Sequence, residues 1–479
     1  MKSLVALALG LTLPLSALAQ DTPASVTAGT VPFTQSVLVT DLAAPWEITW
    51  GPDDMLWVTE RAAGRIIRVN PADGTVSPAI EMAEVSAPGW QDGLLGLALH
   101  PELLTGTGHD FVYAAYTYID QAQGADPTIT DPASPYQYLY AKIVQLTYDP
   151  ATGTLSDPIT LIDGMPAGAD HNSGRLKIGP DGQLYYTIGD QGNDQLGNWC
   201  IPIEAQTLPT ADDVATGNFF AYQGKSLRLN LDGSIPADNP VLNGVQSHIF
   251  TYGHRNMQGL AFGPDGTLYA SEQGPKTDDE VNVLVPGGNY GWPHVAGFRD
   301  DMAYQYAQWA DATTPCATLQ FSDLAIDASV PRQDETAWDQ PMQDPLATLF
   351  TVASDYNFDD PVCEGSAYIC WPTVAASSIE AYRPASGGIP GFDNALLVTT
   401  LKRGSLYRVP LTADGLSAAG PMERYFQTDN RYRDVAVSPD GRTLYIVTDI
   451  GGQHEALAGG VMDGVENPGA ILVFTYAGE

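Results

Sequence analysis

The chain has 479 residues, of which 57 are Asp or Glu and 21 are Lys or Arg, so its formal net charge at pH 7 is −36. Binding to nucleic acid or to an anionic membrane needs a basic protein surface, and this composition argues against both partners. Only 16% of the residues are charged, while 48 Gly and 36 Pro indicate many turns and disfavour long solvated helices.

Residues 1–19 predict a signal peptide. Lys2 provides a positive charge, an apolar run follows, and Ala17 to Ala19 form the small-x-small pattern that signal peptidase cleaves. Residues 20–34 then form an N-terminal segment of the mature chain. Because no segment is long enough for a membrane span, the sequence predicts a periplasmic or secreted protein.

One phrase recurs along the chain: WGPDDMLWVTE at 50–60, IGPDGQLYYTIGD at 178–190, FGPDGTLYASEQ at 262–273 and VSPDGRTLYIVTD at 437–449. Pro, Asp and Gly favour a tight turn, and the Leu-aromatic stretch after them favours a strand. This repetition indicates an all-β propeller of four-stranded antiparallel blades. The strands end on carboxylates, which a radial arrangement would place on one rim: Glu60, Asp190, Glu272 and Asp449. Uneven spacing leaves the number of blades open, although the length suits six.

The segment AGADHNSGRL at 167–176 places His171 in a polar loop before a strand that ends at Asp190. An imidazole can accept a proton near neutral pH, and a carboxylate can orient it and stabilise its cation. The pair is therefore a candidate general base, although the residues alone favour a solvated loop histidine.

The segment SEQGPKTDDEVN at 271–282 combines four acidic residues with a Gly-Pro pair. Calcium prefers six to eight oxygen ligands of this kind. The pattern is not an EF-hand, and a solvated acidic turn explains it as well as a metal site does.

Cations are scarce in this chain, yet several fall in the turns GHRN (253–256), LKRG (401–404) and NRYRD (430–434). If these turns converge on one rim, their side chains form a positive well for a small polyanion. Ordinary surface ion pairs with the abundant acids remain the alternative. The residues concerned are Arg255, Lys402, Arg431 and Arg433.

The four cysteines favour disulfides in an oxidising compartment, since no CxxC pair is present. Cys363 and Cys370 enclose a short loop that a disulfide could close. Cys200 and Cys316 are then the two cysteines left over, and would form the second pair. Next to the short loop, YICWPTV offers aromatic side chains on which a flat ligand or a sugar could stack, although a structural Trp is commoner.

At these residues the sequence resembles the soluble PQQ-dependent glucose and aldose sugar dehydrogenases, which are six-bladed propellers. The resemblance runs from about residue 35 to the C-terminus and implies one catalytic propeller over 35–479. It is carried by collinear stretches that include PDDMLWVTERAAGRIIRVNP, QDGLLGLALHP, DHNSGRLKIGPDGQLYYTIGDQG, YGHRNMQGLAFGPDGTLYASEQGP, YICWPTVAASS, LKRGSLYRV and NRYRDVAVSPDG.

The resemblance implies oxidation of glucose and other aldoses to lactones, by hydride transfer from the anomeric carbon to pyrroloquinoline quinone (PQQ). It makes His171 the general base, with Asp190 orienting it and Arg255 stabilising negative charge. The implied sugar contacts are Gln91, Asp170, Tyr368 and Trp371. The implied PQQ contacts are Arg255, Asn256, Gln258, Thr373, Lys402, Arg431 and Arg433.

The resemblance also implies calcium. The carbonyls of Gly274 and Pro275 would hold a cofactor calcium that polarises the quinone. Further calcium ligands, partly backbone carbonyls, would be Glu280, Tyr290, Ala296, Phe298, Asp300 and Glu335. Members of the family commonly form homodimers, and the sequence does not identify the electron acceptor.

Several departures from the family pattern leave the preferred sugar open. Asp92 follows Gln91 where an amide is usual, Met257 replaces a proline, and DQGNDQL lacks a usual arginine. Cys200 and Cys316 have no family counterpart, so their pairing is a separate hypothesis.

Two other functions remain as alternatives. A calcium-dependent propeller lactonase would use rim carboxylates and a base but no quinone, and a carbohydrate-binding propeller would use only the aromatic rim.

Overall fold

The computed structural model describes residues 26–129 and 131–478. The predicted signal peptide at 1–19 lies outside these ranges. Among the described residues, no helix is long and apolar enough to cross a membrane.

Six antiparallel sheets, called blades 1 to 6 in chain order, form a ring, and their strands are lettered a to d from the centre outward. Blades 1 and 2 consist of Pro45–Trp50, Leu56–Glu60, Arg65–Val69 and Val76–Glu81, and of Leu94–Leu99, Phe111–Ile119, Leu139–Asp149 and Thr154–Pro166. Blades 3 and 4 consist of Leu176–Ile178, Leu184–Ile188, Lys225–Leu229 and Ile249–Tyr252, and of Met257–Phe262, Leu268–Glu272, Asp279–Leu284 and Ala347–Leu349. Blades 5 and 6 consist of Ala376–Tyr382, Ala395–Thr400, Leu406–Pro410 and Met422–Tyr425, and of Tyr432–Val437, Thr443–Thr448, Ile471–Tyr476 and Phe33–Val39.

The remaining regular elements are short and lie in the connections. The α-helix is Ala211–Thr216. Three two-stranded ribbons pair Val241–Leu242 with Val245–Gln246, Tyr306–Ala307 with Arg332–Gln333, and Gln453–Glu455 with Val461–Asp463. Single 3₁₀ turns occur at Phe220–Tyr222, Trp309–Asp311, Cys316–Thr318, Glu335–Ala337, Pro361–Cys363 and Ala367–Ile369.

The ring closes through a blade that contains both ends of the described chain. Strand d of blade 6, Phe33–Val39, pairs antiparallel with Ile471–Tyr476, and the a strands of neighbouring blades contact each other around the whole ring. The prediction of a six-bladed propeller is confirmed, with two corrections. Strands already begin at Val26 and Phe33, ahead of residue 35, and Val26–Ala28 pairs in parallel with Met422–Tyr425 as a fifth strand of blade 5.

The recurring phrase marks one hairpin, the one that joins strands a and b. Its four copies lie in blades 1, 3, 4 and 6, and in each the strand after the turn is strand b. Gly182, Gly266 and Gly441 occupy the left-handed region in three of the turns, and Asp54 (φ 58) takes that place in the first. Blades 2 and 5 have other turn sequences, which is why the repeat spacing is uneven.

Apolar side chains from the two faces of each blade pack against the neighbouring blades. Ile143 of blade 2, for example, packs in one cluster with Tyr186 and Leu227 of blade 3, and all three are fully buried or nearly so. Burial of both sheet faces explains the apolar strands, and it leaves the loops at the ends of the ring free to carry polar groups.

A buried ionic cluster occupies the centre of the ring. Arg175 lies next to strand a of blade 3, and its Nη1 contacts Glu47 Oε2 at 2.6 Å and Asp434 Oδ2 at 2.9 Å, on blades 1 and 6. Its Nε and Nη2 donate to the carbonyls of Gln258 and Ser377, on blades 4 and 5. One guanidinium therefore ties five blades together.

We expect Arg175→Met to lower the free energy of unfolding by about 3 to 5 kcal/mol, because it leaves Glu47 and Asp434 as buried carboxylates without their shared cation. Chemical denaturation of both proteins measures the difference. Arg332→Met is the control, since that side chain is exposed and its loss should change stability by no more than about 0.5 kcal/mol. Equal effects of the two substitutions would contradict the role of the central cluster.

Candidate active site

A cavity of about 710 Å³ opens at one end of the ring, where loops from several blades meet. Most of the residues predicted for the site line it, so turns that are distant in the sequence meet at this cavity. These residues are Gln91, Asp170, His171, Arg255, Gln258, Gly274, Pro275, Tyr368, Trp371, Thr373, Lys402, Arg431 and Arg433. Among the predicted rim carboxylates, Asp449 lines the cavity, whereas Glu60 is paired with Arg65 outside it.

His171 and Asp190 form a hydrogen-bonded pair. The imidazole Nδ1 lies 2.6 Å from Asp190 Oδ1, and both side chains are buried. A carboxylate accepts this hydrogen bond, so Nδ1 carries a proton, and in the neutral imidazole the lone pair is on Nε2. Nε2 lies 3.9 Å from Asp170 Oδ1, on the side where Asp170 and His171 line the cavity. In its neutral form, His171 therefore presents a proton acceptor to a ligand.

Asp190 is held by further donors. Its Oδ2 accepts from Trp292 Nε1 at 2.8 Å and from Gln195 Nε2 at 3.1 Å, and its Oδ1 accepts from Gly192 N at 2.9 Å. Because these donors satisfy both oxygens, the carboxylate has a fixed orientation and in turn fixes the imidazole.

The guanidinium of Arg255 contacts neutral groups rather than a carboxylate side chain. Nε and Nη2 donate to Gln195 Oε1 at 3.0 and 2.6 Å, and Nη1 donates to Gln273 O at 3.1 Å. The backbone N of Arg255 donates to Glu272. Arg255 thus lines the cavity without forming an ion pair with any carboxylate of the described residues.

Lys402 is a second cation without a paired carboxylate among the described residues. Nζ donates to Trp371 O and Thr373 Oγ1, each at 2.7 Å, and the side chain is buried. Burial lowers the pKa of Lys402 well below its usual value, and neighbouring Arg403 lowers it further. An anion in the cavity would therefore stabilise the charged form of this lysine.

Arg431 and Arg433 share Asp449, so the alternative of ion pairing applies to these two residues. Arg433 Nη2 lies 2.6 Å and Arg431 Nε 3.6 Å from Asp449 Oδ2. Although burial alone would raise it, the two guanidinium groups lower the pKa of Asp449. Two cations against one anion still leave a net positive charge on this wall.

The predicted polar contacts of the cofactor lie at and below the cavity floor. Gln258 lines the cavity and accepts from Arg433 Nη1 at 3.3 Å. Asn256 is fully buried and exchanges hydrogen bonds with Ser173, Gln258 and Gln273. Asn256 therefore supports the floor rather than lining it.

One wall carries the predicted aromatic residues. The Cys363–Cys370 disulfide closes the loop that contains Tyr368, and the hydroxyl of Tyr368 donates to Gln453 Oε1 at 2.5 Å. Trp371 Nε1 donates to Phe358 O at 3.0 Å. Both rings are thereby fixed, which suits stacking against a ligand.

Gln91 lies in the connection between blades 1 and 2 and contacts Asp170 and His171. Its Nε2 donates to Asp170 and its Oε1 accepts from His171 N. The unusual Asp92 is buried, accepts from Gly89 N at 2.9 Å with both oxygens, and lies 3.6 Å from Arg61 Nη1. Asp92 therefore anchors the loop that carries Gln91 and does not line the cavity.

The residues predicted for calcium form two groups. Gly274 and Pro275 line the main cavity, and their carbonyl oxygens accept no hydrogen bond from any described residue. In the second group, Glu335 Oε1 accepts from Ala296 N at 3.0 Å and its Oε2 from Asp300 N at 3.3 Å. Tyr290 is buried and Phe298 is 37% exposed.

Buried acids surround this second group. Glu280 Oε1 accepts from Gly297 N at 2.6 Å. Burial, followed by the charge of Glu272, raises the pKa of Glu280 to about 8, and burial raises the pKa of Glu335 to about 7. No cluster of three His, Cys, Asp or Glu side chains has metal-binding geometry within the described ranges, so backbone carbonyls would have to complete any site here.

Two residues at the site were not predicted from the sequence. Gln195 bridges Asp190 and Arg255, and Trp292 donates to Asp190. Asp278, one of the acidic residues of the segment 271–282, is buried beside Glu280 and Glu335. Gln195 follows Asp190 closely in DQGNDQL, which is the one available signal, whereas Trp292 reaches the site only through the fold.

Comparisons with known proteins agree with this geometry. The family model for Glucose / Sorbosone dehydrogenase matches residues 42–323 and 354–457. The chain is 45% identical over 448 residues to quinoprotein glucose dehydrogenase B of Acinetobacter calcoaceticus, covering 93% of this chain and 91% of that protein. It is 29% identical over 262 residues to aldose sugar dehydrogenase YliI of Escherichia coli (strain K12), covering 54% and 61%. The solved PQQ-bound form of aldose sugar dehydrogenase from Streptomyces coelicolor is 25% identical, with a TM-score of 0.59 and coverage of 94% and 99%.

Proposed function

The chain belongs to the glucose/sorbosone dehydrogenase family, and from that premise we propose that it is a PQQ-dependent enzyme that oxidises glucose and other aldoses to lactones. The observation that carries this proposal is the arrangement of His171. His171 lines a cavity that also gathers four cations, two of which, Arg255 and Lys402, form no ion pair with a described carboxylate.

The cavity fits PQQ, a planar tricarboxylate. Lys402 and Arg255 have neutral hydrogen-bond partners, and Arg431 and Arg433 outnumber Asp449. These four side chains would hold the carboxylates and quinone oxygens, with Arg able to bind carboxylate through two nitrogens. When bound, PQQ supplies the carbon that accepts the hydride.

In the proposed reaction, His171 Nε2 removes the proton of the anomeric hydroxyl. Asp190 accepts the hydrogen bond of Nδ1 and stabilises the imidazolium that results. Arg255 would stabilise the negative charge that develops on the bound cofactor. Gln91 and Asp170 would bind sugar hydroxyls, while Tyr368 and Trp371 would cover the apolar face of the ring.

The residues also fit calcium in two places. The free carbonyls of Gly274 and Pro275 would hold the ion next to PQQ, where a cation polarises oxygen ligands. At the second place, a divalent ion would stabilise the ionised forms of Glu280 and Glu335, whose pKa values burial raises. Removal of calcium should therefore weaken both cofactor binding and the loops around Ala296.

The two disulfides support an exported protein, since such bonds persist in oxidising compartments. We propose a periplasmic or secreted location, which determination of the mature N-terminus near Gln20 would check.

Reconstitution tests the proposed function directly. Purified apoprotein is mixed with calcium and PQQ, and reduction of a dye is followed with glucose, maltose or gluconolactone. We expect dye reduction with the two aldoses and none with the lactone, and we expect it to require both PQQ and calcium. Hydrolysis of gluconolactone without PQQ would instead establish a lactonase, and recovery of the sugars unchanged would establish a carbohydrate-binding propeller.

A further inference from the structure

Two long connections face each other across one side of the cavity. The first follows strand b of blade 3 and contributes Gln195 and Leu196 to the cavity wall, and the second lies within blade 4 and contributes Asp323 and Leu324. Among the described residues, the first contains the short helix Ala211–Thr216 and a 3₁₀ turn, and the second contains 3₁₀ turns and a two-residue ribbon. Backbone pairing within a blade therefore cannot hold either wall in place.

Contacts between the two connections replace that pairing. The Cys200–Cys316 disulfide joins them, with 5.6 Å between the Cα atoms. Beside it, Trp199 Nε1 donates to Cys316 O at 3.3 Å, and Ala310 N donates to Asp194 Oδ1 at 2.6 Å. Cys200 is exposed, so the disulfide links the two connections at the protein surface.

The first connection carries the side chain that links the two charged partners of the site. Gln195 donates through Nε2 to Asp190 Oδ2 at 3.1 Å and accepts through Oε1 from Arg255 Nη2 at 2.6 Å. Glutamine has three rotatable side-chain bonds, so both contacts depend on where its backbone lies.

We propose that the Cys200–Cys316 disulfide is a positioning element of the active site, which holds Gln195 between Asp190 and Arg255. This inference rests on the proposed function for its kinetic consequences. Cys200 lies five residues after Gln195 in the chain. Asp194, directly before Gln195, makes the other nearby contact between the two connections, with Ala310. Without the disulfide, the first connection can move away from the second, and a small displacement is enough to break both hydrogen bonds of Gln195.

The main test is the double variant Cys200→Ser/Cys316→Ser, which leaves no unpaired thiol at these positions. We expect kcat/KM for glucose to fall about 10- to 100-fold, because small displacements at a reacting centre have effects of this size. We expect most of the loss in kcat, since Gln195 contacts Asp190 and Arg255 rather than a bound sugar. A variant with wild-type kcat/KM would overturn the proposal.

A double-mutant cycle distinguishes positioning from a general loss of structure. Gln195→Leu keeps the disulfide and should cause a similar loss of kcat/KM. Removing both cysteines in the Gln195→Leu background should then cost little more, because the two changes act through one contact. Independent, multiplying losses would show that the disulfide does not act through Gln195. Gln195→Leu also tests the claim if the double variant does not fold, and wild-type activity in it would overturn the proposal.

Hydrogen exchange of the apoprotein gives a readout without turnover. The amides of Asp194 and Ala310 are hydrogen-bonded across this region, and we expect both to exchange at least about tenfold faster in the Cys200→Ser/Cys316→Ser variant. Unchanged exchange would overturn the proposal. If the wild-type protein shows no PQQ-dependent oxidation, the proposed function fails, while the exchange experiment still tests whether the disulfide orders Gln195 and its neighbours.

Discussion

Replacement of His171 by Ala is expected to lower kcat for glucose about 100- to 10 000-fold, the range that a positioned general base contributes. In the neutral imidazole of His171, Nε2 is the nitrogen that can accept a proton, because Asp190 accepts the hydrogen of Nδ1. Alanine offers no acceptor in its place, and Asp190 lies behind the imidazole, out of reach of a ligand. Steady-state dye reduction with the reconstituted enzyme measures the loss.

Cofactor binding should remain within a few-fold in the same variant. The cations that fit PQQ have their own contacts: Lys402 with Thr373, and Arg433 with Asp449 and Gln258. His100→Ala is the matched control, since His100 follows the far end of strand a of blade 2, about 20 Å along the strand from the cavity, and lines a different cavity. Turnover of His171→Ala within tenfold of the wild type would contradict the assignment of the base.

The fold was predictable from local signals where a turn precedes a strand. The recurring turn, Pro-Asp-Gly in three copies and Pro-Asp-Asp in the first, marks the a–b hairpins of four blades. The apolar strands of blades 2 and 5 are also visible as apolar runs in the sequence. The ring closure was not predictable in this way. Pairing of Phe33–Val39 with Ile471–Tyr476 joins residues at opposite ends of the chain, and no local pattern encodes such a contact.

The site was predictable in part because strand ends meet at the same rim of a propeller. This geometry brings His171 to Asp190, and it gathers Arg255, Lys402 and Arg433 around one cavity. The roles of each cation depended on tertiary packing. The sequence did not show that Arg433 forms an ion pair with Asp449 while Lys402 donates hydrogen bonds to neutral groups, because that difference arises from side chains of different turns.

The second large effect is expected at Lys402. Lys402→Met keeps the length of the side chain but removes the ammonium, which has only Trp371 O and Thr373 Oγ1 as partners among the described residues. A hydrogen bond to a charged group contributes about 1.5 to 3 kcal/mol, so we expect the Kd for PQQ to rise about 10- to 100-fold. Quenching of the fluorescence of Trp371, which lines the same cavity, gives the titration.

The pH dependence of binding separates a charge effect from a packing effect at Lys402. Burial lowers the pKa of this lysine in the free protein, and an anionic ligand stabilises the ammonium and so raises the pKa. Binding between these two pKa values therefore takes up a proton, and the affinity of the wild type should fall as the pH rises through that window. Calorimetry in buffers of different ionisation enthalpy detects this uptake. Lys402→Met should lose it, whereas the control Arg442→Met, in the a–b turn of blade 6, should keep both the uptake and the wild-type Kd. Proton uptake that persists unchanged in Lys402→Met would assign the titrating group elsewhere and leave Lys402 without the proposed role.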